Sequence, residues 1–220
     1  MLIKSFPAGP WATNCYLVAN EANSECIIID PGFESLTGIK RIAEQFGLHP
    51  VATLLTHGHM DHVWSVVPLC KEHNIAAYLH SDDEWMVNEP EKAYSKGGWQ
   101  EIVNMAGGIP DYRPDELKLM KENRTLDLAG IKIKTHHAPG HTEGSTVFET
   151  GNHLFSGDVL FNRGIGRTDL PGGNASAMDH TLANVILKFP DAMSVYPGHG
   201  PSTTIQDERT SNPYLRHLVS

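Results

Sequence analysis

The chain has 220 residues, of which 20% are charged and 40% hydrophobic, and its formal net charge is -9 at pH 7. This composition is typical of a globular protein, and the absence of a basic run argues against a nucleic-acid partner. No apolar run approaches the roughly 20 residues that span a bilayer, and the N-terminus lacks a signal-like apolar core, so we expect a cytoplasmic protein with no membrane partner.

Hydrophobic periodicity predicts four strands and two helices over the first 80 residues. The predicted strands are 15–20, 25–30, 51–55 and 75–80, and the predicted helices are 35–46, which ends at Gly47, and 61–73. The segment Asp30-Pro31-Gly32 ends the second strand. The loop between strand 51–55 and helix 61–73 has the sequence "THGHMDH" (56–62).

The rest of the chain predicts more strands after a less regular segment, 82–124. We interpret that segment as a helical excursion that either covers a substrate cleft or packs its aromatic residues into a local core. The later predicted elements are strands 131–136, 145–149, 153–156 and 193–196 and a helix 175–188 capped by Asn174 or Ser176. This mixture predicts an α/β fold in which helices cover packed sheets, as a single domain over 1–220.

Histidine and aspartate side chains follow four of the predicted strands, and strand ends are where sites collect. The loop after strand 51–55 carries four of these donors, and three later strand ends each carry one more beside a glycine. The full set is His57, His59, Asp61, His62, His141, Asp158 and His199. Cys15, Cys26 and Cys70 lie in apolar surroundings, and we interpret them as buried reduced thiols.

Seven nitrogen and oxygen donors without a thiolate suit two divalent ions better than one structural zinc. His57 and His59 are two residues apart on an extended segment, so both can face one ion. Asp61 and His62 are adjacent at a helix start and can face a second ion. Asp158 has two carboxylate oxygens and can bridge the two.

The motifs "THGHMDH", "PGHTEGS", "GDVLF" and "PGHG", with the strands "NCYLV" and "IIIDPG", resemble the metallo-β-lactamase-fold hydrolases. The resemblance implies a four-layer αββα sandwich with a two-metal site at one edge. It assigns the first metal to His57, His59 and His141. It assigns the second to Asp61, His62 and His199, with Asp158 as the bridge.

Within that superfamily, the segment 157–173 resembles the short bacterial glyoxalase II-like proteins, the hydroxyacylglutathione hydrolases. The resemblance implies two divalent ions, with zinc expected and iron or manganese compatible with the same ligands. It also implies catalytic roles for Asp61 and Asp158 and a substrate-binding role for Arg167. Longer glyoxalase II enzymes carry a C-terminal helical domain with further glutathione-binding residues, and with 21 residues after His199 we expect no such domain here.

The implied reaction is hydrolysis of S-D-lactoylglutathione or a related small hydroxyacyl thioester to the hydroxy acid and a free thiol. A divalent metal lowers the pKa of bound water from 15.7 to about 7, which would supply the nucleophile. A thiolate, with a conjugate pKa near 8.5, can leave without a strong general acid. Apart from Glu143, no spare acid stands beside the motifs, and this favours a thioester over an amide.

Other functions remain open from the sequence. A persulfide dioxygenase of the same fold would bind one iron through His57, His141 and Asp158, and a lactonase or a non-catalytic metal-binding module are further alternatives. We interpret His136 and His137 as candidate neighbours of the metal ligands. The remaining histidines are interpreted as surface or locally bonded residues: His49, His73, His80, His153, His180 and His217. The protein is expected to be a monomer or small homo-oligomer.

Overall fold

The computed structural model describes residues 1–106, 108, 111–121, 123–216 and 218, so His217 and four residues of the segment 82–124 lie outside the described residues. Within this part of the chain there are twelve strands and eight α-helices. The strands are β1 Leu2–Ala8, β2 Thr13–Ala19, β3 Glu25–Ile29, β4 His49–Leu54, β5 Ala76–His80, β6 Leu117–Met120, β7 Thr125–Leu128, β8 Ile131–His137, β9 Thr146–Thr150, β10 His153–Gly157, β11 Ser194–Pro197 and β12 Thr203–Thr204. The helices are α1 Ser35–Phe46, α2 Met60–Val63, α3 Val66–His73, α4 Glu84–Asn88, α5 Lys96–Ala106, α6 Ala175–Asn184, α7 Ile205–Ser211 and α8 Pro213–Arg216.

Two six-stranded sheets hold these strands, in the orders β1-β2-β3-β4-β5-β6 and β12-β11-β10-β9-β8-β7. In the first sheet β1, β2 and β3 are antiparallel neighbours, whereas β3 to β6 run parallel. In the second sheet the pair β10–β11 is parallel and its other pairs are antiparallel. Each sheet therefore has neighbouring strands whose carboxyl ends meet at one edge, where loops can converge.

The side chains of β2 and β3 alternate between two cores, as the two-residue period of a strand requires. Tyr16 and Ile27 point into the cluster between the two sheets, which also contains Phe148 and Phe155 of the second sheet. Leu17 and Ile28 point to the other face, where α1 and α3 cover the first sheet. A separate apolar cluster places α6 and α7 against the second sheet. The molecule is thus a four-layer αββα sandwich, which confirms the expected fold class.

The eight predicted strands are all present, with ends that differ by one or two residues, and α1 ends at Gly47 as expected, with Gly47 at φ 64°. The prediction of one helix over 61–73 was wrong, because α2 ends at Val63 and α3 begins at Val66. Pro68 lies in the first turn of α3, where its missing N–H costs nothing, but it could not continue a helix from α2. The predicted helix 175–188 is α6, capped by Asn174, followed by a 3₁₀ turn at 186–188.

The segment 82–124 contains α4, α5 and a 3₁₀ turn at 90–93, and it also contains the strand β6, which the sequence did not predict. In the described residues no helix combines the length and apolar character that crossing a bilayer requires.

Candidate metal centre

The ends of β4, β8, β10 and β11 converge at one edge of the sandwich. The Thr146 amide donates to the Thr56 carbonyl at 2.8 Å, which ties the second sheet to the loop after β4. The Gly198 amide donates to the Gly157 carbonyl at 2.8 Å, which holds the loops after β10 and β11 together. Gly198 has to be a glycine there, since a Cβ atom would lie 2.2 Å from Asp158 Oδ1.

The structure brings all seven predicted donors to this edge. Their ligand atoms form groups whose members lie within 4.8 Å of one another: His57, His59 and His141; His57, His62 and Asp158; and Asp61, His62 and His199. The first and third groups are the two half-sites expected from the sequence.

Asp158 lies between the two groups of histidines. Its Oδ1 is 3.3 Å from His62 Nε2, and its Oδ2 is 3.6 Å from His141 Nε2 and 3.5 Å from His199 Nε2. Donor atoms that share an ion at about 2.1 Å stand roughly 3.0–3.5 Å apart, so these separations suit shared cations. Asp158 therefore faces histidines of both half-sites, which is the position that a bridging ligand would need.

Asp30 orients two of the histidines, although the sequence indicated only that it ends a strand. Asp30 Oδ2 accepts the Nδ1–H of His62 at 2.9 Å and the hydroxyl of Thr56 at 2.7 Å. Since the Thr56 hydroxyl donates to Asp30, its oxygen accepts from His57 Nδ1 at 3.1 Å. The Nδ1 atoms of His57 and His62 therefore both carry a proton, so each Nε2 atom offers a lone pair whenever its ring is neutral.

Backbone carbonyls orient two more histidines in the same way. His141 Nδ1 donates to the carbonyl of Arg167 at 2.7 Å, and His199 Nδ1 donates to the carbonyl of Trp11 at 3.0 Å. Because a carbonyl oxygen can only accept, Nδ1 of each ring carries a proton, and its Nε2 atom offers a lone pair when that ring is neutral. His59 differs, because its Nδ1 faces His141 Nε2 at 2.9 Å.

Several ligand atoms of the cluster are buried and have no hydrogen-bond partner, and such atoms are suited to bind metal cations. Among the described residues, His57 Nε2, His62 Nε2 and Asp158 Oδ1 are buried without a hydrogen-bond partner. A buried acceptor without a partner costs about 1–3 kcal/mol, and a cluster of them is not stable as a core. A divalent cation bound among these atoms removes that cost, and oxygen acceptors behind the rings are the usual support of metal-ligating histidines.

The pKa values divide the histidines into two kinds. Burial, with repulsion from neighbouring rings, lowers the pKa of His57 and lowers that of His59 to about 3. Burial also acts to lower the pKa of His62 and His199, but the carboxylates of Asp61 and Asp158 outweigh it and raise both values. The protons of the cluster therefore reside on the half that contains Asp61.

Asp83 joins the two loops that carry most of the donors, and the sequence did not indicate this role. Asp83 Oδ2 accepts from the Gly58 amide at 3.0 Å and the Thr142 hydroxyl at 2.7 Å, and Oδ1 accepts from the Gly144 amide at 2.7 Å. The carboxyl is fully buried. Burial raises its pKa to about 6, although the three hydrogen bonds that it accepts act to lower the pKa. At neutral pH it is mostly ionised and accepts all three hydrogen bonds.

A cleft of about 640 Å³ opens onto the donor cluster. Segment 82–124 forms one wall, so this segment does cover the cleft, and its Tyr94 and Trp99 also pack into an apolar cluster. The residues that line the cleft are Trp11, His59, Asp61, Tyr94, Ser95, Gly98, Glu101, Ile102, Met105, His141, Asp158, Arg167, Leu170 and His199. Glu143, the spare acid considered from the sequence, lines a different cavity behind the His141 loop.

Arg167 lines the cleft, and its side chain is paired. Its Nε and Nη2 atoms donate to the two carboxylate oxygens of Asp169 at 2.7 and 2.8 Å. Its backbone carbonyl separately accepts from His141. Arg167 therefore stands where a substrate could meet it, with part of its charge already balanced.

The other histidines in the described part of the chain are not among the groups of ligand atoms at this edge. His136 pairs with Glu149 at 2.7 Å, and His137 donates to the Glu143 carbonyl at 2.8 Å. His80 is buried, accepts from the Asp82 amide at 3.3 Å and stacks on the His137 ring at 4.0 Å. These contacts agree with local roles rather than with support of the donor cluster.

The sequence model of the protein family described as metallo-beta-lactamase superfamily matches residues 8–199 of this chain. A curated relative from Haemophilus influenzae, hydroxyacylglutathione hydrolase GloC, is 33% identical over 219 residues, covering 98% of this chain and 98% of its own.

Two solved structures share the fold and a third of the sequence. The BLEG-1 B3 metallo-beta-lactamase superposes with a TM-score of 0.85 at 32% identity, covering 97% of this chain and 99% of that chain. TTHA1623 in a di-iron-bound form superposes with a TM-score of 0.76 at 35% identity, covering 94% and 97%.

Proposed function

The chain belongs to the metallo-beta-lactamase superfamily, and we propose that within it the protein is a metal-dependent hydrolase of hydroxyacyl thioesters. The observation that carries the proposal is that oxygen acceptors behind four histidine rings orient their Nε2 atoms into one cluster with the carboxylates of Asp61 and Asp158. The products would be the hydroxy acid and a free thiol, as the name of the H. influenzae relative suggests.

In this proposal His57, His59 and His141 would hold one divalent ion, Asp61, His62 and His199 would hold the other, and Asp158 would serve both. The di-iron form of TTHA1623 supports two ions of this type, and zinc, iron and manganese all accept these ligands. When bound, the ions supply a water of lowered pKa and polarise the acyl group.

The side chains of the cluster have distinct tasks in the reaction. Asp61 accepts a hydrogen bond from the Thr13 hydroxyl at 2.9 Å, which fixes the carboxylate so that it can orient the attacking water by accepting a hydrogen bond from it. Water adds to the acyl carbon as one of its protons passes to bulk solvent, the C–S bond breaks, and the sulfur leaves as a thiolate beside the hydroxy acid. The thiolate needs no acid, which is consistent with the position of Glu143 outside the cleft.

Two features of the cleft indicate which substrate groups it can bind. Trp11, Ile102, Met105 and Leu170 supply apolar surface for the acyl group or the carrier. We propose that Arg167 binds the thiol carrier, either by retaining its Asp169 partner and using its remaining N–H groups or by exchanging Asp169 for a carboxylate of the carrier. S-D-lactoylglutathione is therefore the first substrate to test.

Loading of the two ions should depend differently on pH. A cation must displace the protons of His62 and His199, whose pKa values are raised, whereas His57 and His59 have lowered pKa values and are already neutral. Proton competition at the Asp61 half-site therefore weakens as pH rises. We expect native mass spectrometry of zinc-titrated protein to show mainly one ion near pH 6 and two near pH 8. Equal loading of both ions at every pH would contradict this assignment.

Metal analysis with parallel assays tests the function. We expect about two ions per chain and hydrolysis of S-D-lactoylglutathione, followed through release of the thiol. One iron per chain with oxygen uptake on glutathione persulfide would identify the dioxygenase alternative instead. Because BLEG-1 is a metallo-beta-lactamase, a chromogenic cephalosporin should also be assayed as a substrate. A higher kcat/KM for the cephalosporin than for S-D-lactoylglutathione would overturn the thioester proposal.

His59→Ala separates the hydrolase from the dioxygenase. In the hydrolase it removes a ligand of the first ion, and we expect a loss of roughly 100-fold or more in kcat/KM. A dioxygenase that binds iron through His57, His141 and Asp158 would keep its iron and most of its oxygen uptake. The matched control is His49→Ala, an exposed histidine at the start of β4, which should change neither metal content nor activity.

A further inference from the structure

Tyr94 lines the cleft beside the donor cluster, and its hydroxyl lies at the backbone amide of Met60. It follows the 3₁₀ turn at 90–93, and its ring lies 5.7 Å from the ring of His59 and stacks on Trp99 at 6.3 Å. Tyr94 lines the cleft together with His59 and His141. These contacts fix the ring from two sides, so the position of its hydroxyl is set by packing.

The hydrogen bonds of this hydroxyl leave its proton free. Tyr94 Oη accepts from the backbone amide of Met60 at 3.0 Å. A phenol has one O–H to donate, and that O–H cannot point at the amide hydrogen it faces. In the described part of the chain no acceptor receives the Tyr94 O–H, so the cleft is the space in which it can find one.

The phenol of Tyr94 is protonated near neutral pH. The ordinary pKa of a tyrosine phenol is near 10. The hydroxyl is therefore a hydrogen-bond donor near neutral pH and cannot serve as a base. The hydrogen bond accepted from Met60 also polarises the O–H and makes it a stronger donor.

We propose that the Tyr94 hydroxyl donates a hydrogen bond to the acyl oxygen of the substrate, and this inference rests on the proposed thioester hydrolysis. As water adds to the acyl carbon, the carbonyl oxygen becomes negatively charged. A fixed donor beside it then stabilises the transition state more than the ground state. The proton stays on Tyr94 throughout, and the oxygen returns to a carbonyl when the C–S bond breaks. The sulfur needs no donor, so the acyl oxygen is the group that gains from this hydroxyl.

Tyr94→Phe tests the inference, with Tyr112→Phe as the matched control. Tyr112 lies in the same segment, is buried against Trp64, and its hydroxyl has no partner among the described residues. Each variant removes one hydroxyl and keeps the ring. We expect Tyr94→Phe to lower kcat about 100-fold or more with KM nearly unchanged, as for the loss of an oxyanion donor, and Tyr112→Phe to leave kcat unchanged.

Two further measurements exclude a purely structural role through Met60. Metal content of Tyr94→Phe should match the wild type, and the thermal midpoint should fall by no more than the few degrees expected from the lost acceptor of the Met60 amide. The loss in kcat should also be the same for a thioester and the corresponding oxygen ester, because the donor acts on the acyl oxygen and not on the leaving group. A loss of bound metal, or a loss confined to the oxygen ester, would overturn the inference.

A binding experiment makes the inference independent of turnover. D-Lactate, the hydroxy-acid product, presents a carboxylate oxygen in place of the acyl oxygen. Calorimetry on zinc-loaded protein should show affinity for D-lactate about tenfold weaker in Tyr94→Phe than in the wild type or Tyr112→Phe. Equal affinities, or no binding by the wild type, would overturn the role of Tyr94. If wild-type protein hydrolyses no thioester but shows this difference in binding, the proposed function fails and the donor site stands.

Discussion

Replacing Asp158 with asparagine should lower thioester hydrolysis by at least about 1000-fold and reduce the bound metal to one ion per chain or fewer. Asp158 is the carboxylate that faces histidines of both half-sites, so no other donor can substitute for it. The loss corresponds to roughly 4 kcal/mol of transition-state stabilisation, a magnitude that metal centres commonly supply.

Electrostatics explains why such a small change should have so large an effect. Burial would raise the pKa of Asp158, but His62, His141 and His199 outweigh it, so that the pKa is lowered and the group is ionised. Asparagine keeps the volume and removes the negative charge. It also places an amide NH₂ among imidazole lone pairs and cations, where a donor cannot take the part of a carboxylate oxygen.

The control for this variant is Asp179→Asn, an exposed aspartate on α6 outside the cleft. It should retain wild-type metal content and kcat/KM. Metal content is measured by atomic emission on protein dialysed against metal-free buffer, and unfolding is followed by circular dichroism. Retention of two ions and more than a tenth of the activity by Asp158→Asn would show that Asp158 is not the bridge.

The strands that the sequence predicted are those buried on both faces or alternating strongly in hydrophobicity. β3 shows this well, since Cys26 to Ile29 are all buried and the run is apolar. β1 and β7 were not predicted, because each is an edge strand in which apolar and polar residues alternate only weakly. β1 contains Lys4 and Pro7, and Pro is tolerated at a sheet edge where a missing amide breaks no ladder bond. β12 has two residues, too few for any period.

The seven donors could be predicted because each adjoins a strand end and a sharp turn, a pattern that is local in sequence. Asp30, Asp83 and Tyr94 could not, because their partners lie far along the chain. Asp30 bonds His62 across 32 residues, Asp83 bonds Thr142 across 59, and Tyr94 bonds Met60 across 34. A single sequence contains no signal for such contacts until the sheets are assembled.

Asp83→Asn should weaken metal binding about 10–100-fold and lower the free energy of unfolding of the metal-free protein by about 2–4 kcal/mol. Either orientation of the asparagine amide places its NH₂ against a donor. If the NH₂ replaces Oδ1 it faces the Gly144 amide, and if it replaces Oδ2 it faces the Gly58 amide and the Thr142 hydroxyl. At least one buried N–H then loses its acceptor. The two loops cannot separate freely to relieve the conflict, because Gly144 passes so close that a Cβ atom would lie 2.6 Å from Asp83 Cγ.

The adjacent aspartate supplies the control, because Asp82 is exposed and Asp83 is fully buried. Asp82→Asn should leave both metal affinity and unfolding unchanged within error. Zinc affinity measured by competition with a chromophoric chelator, and urea unfolding of the metal-free proteins, report the two effects separately. A drop in stability with unchanged zinc affinity would mean that Asp83 supports the fold without positioning the ligands. A drop in both means that His57, His59 and His141 depend for their geometry on a carboxylate that touches none of them, since the loops that carry them are held at Gly58, Thr142 and Gly144.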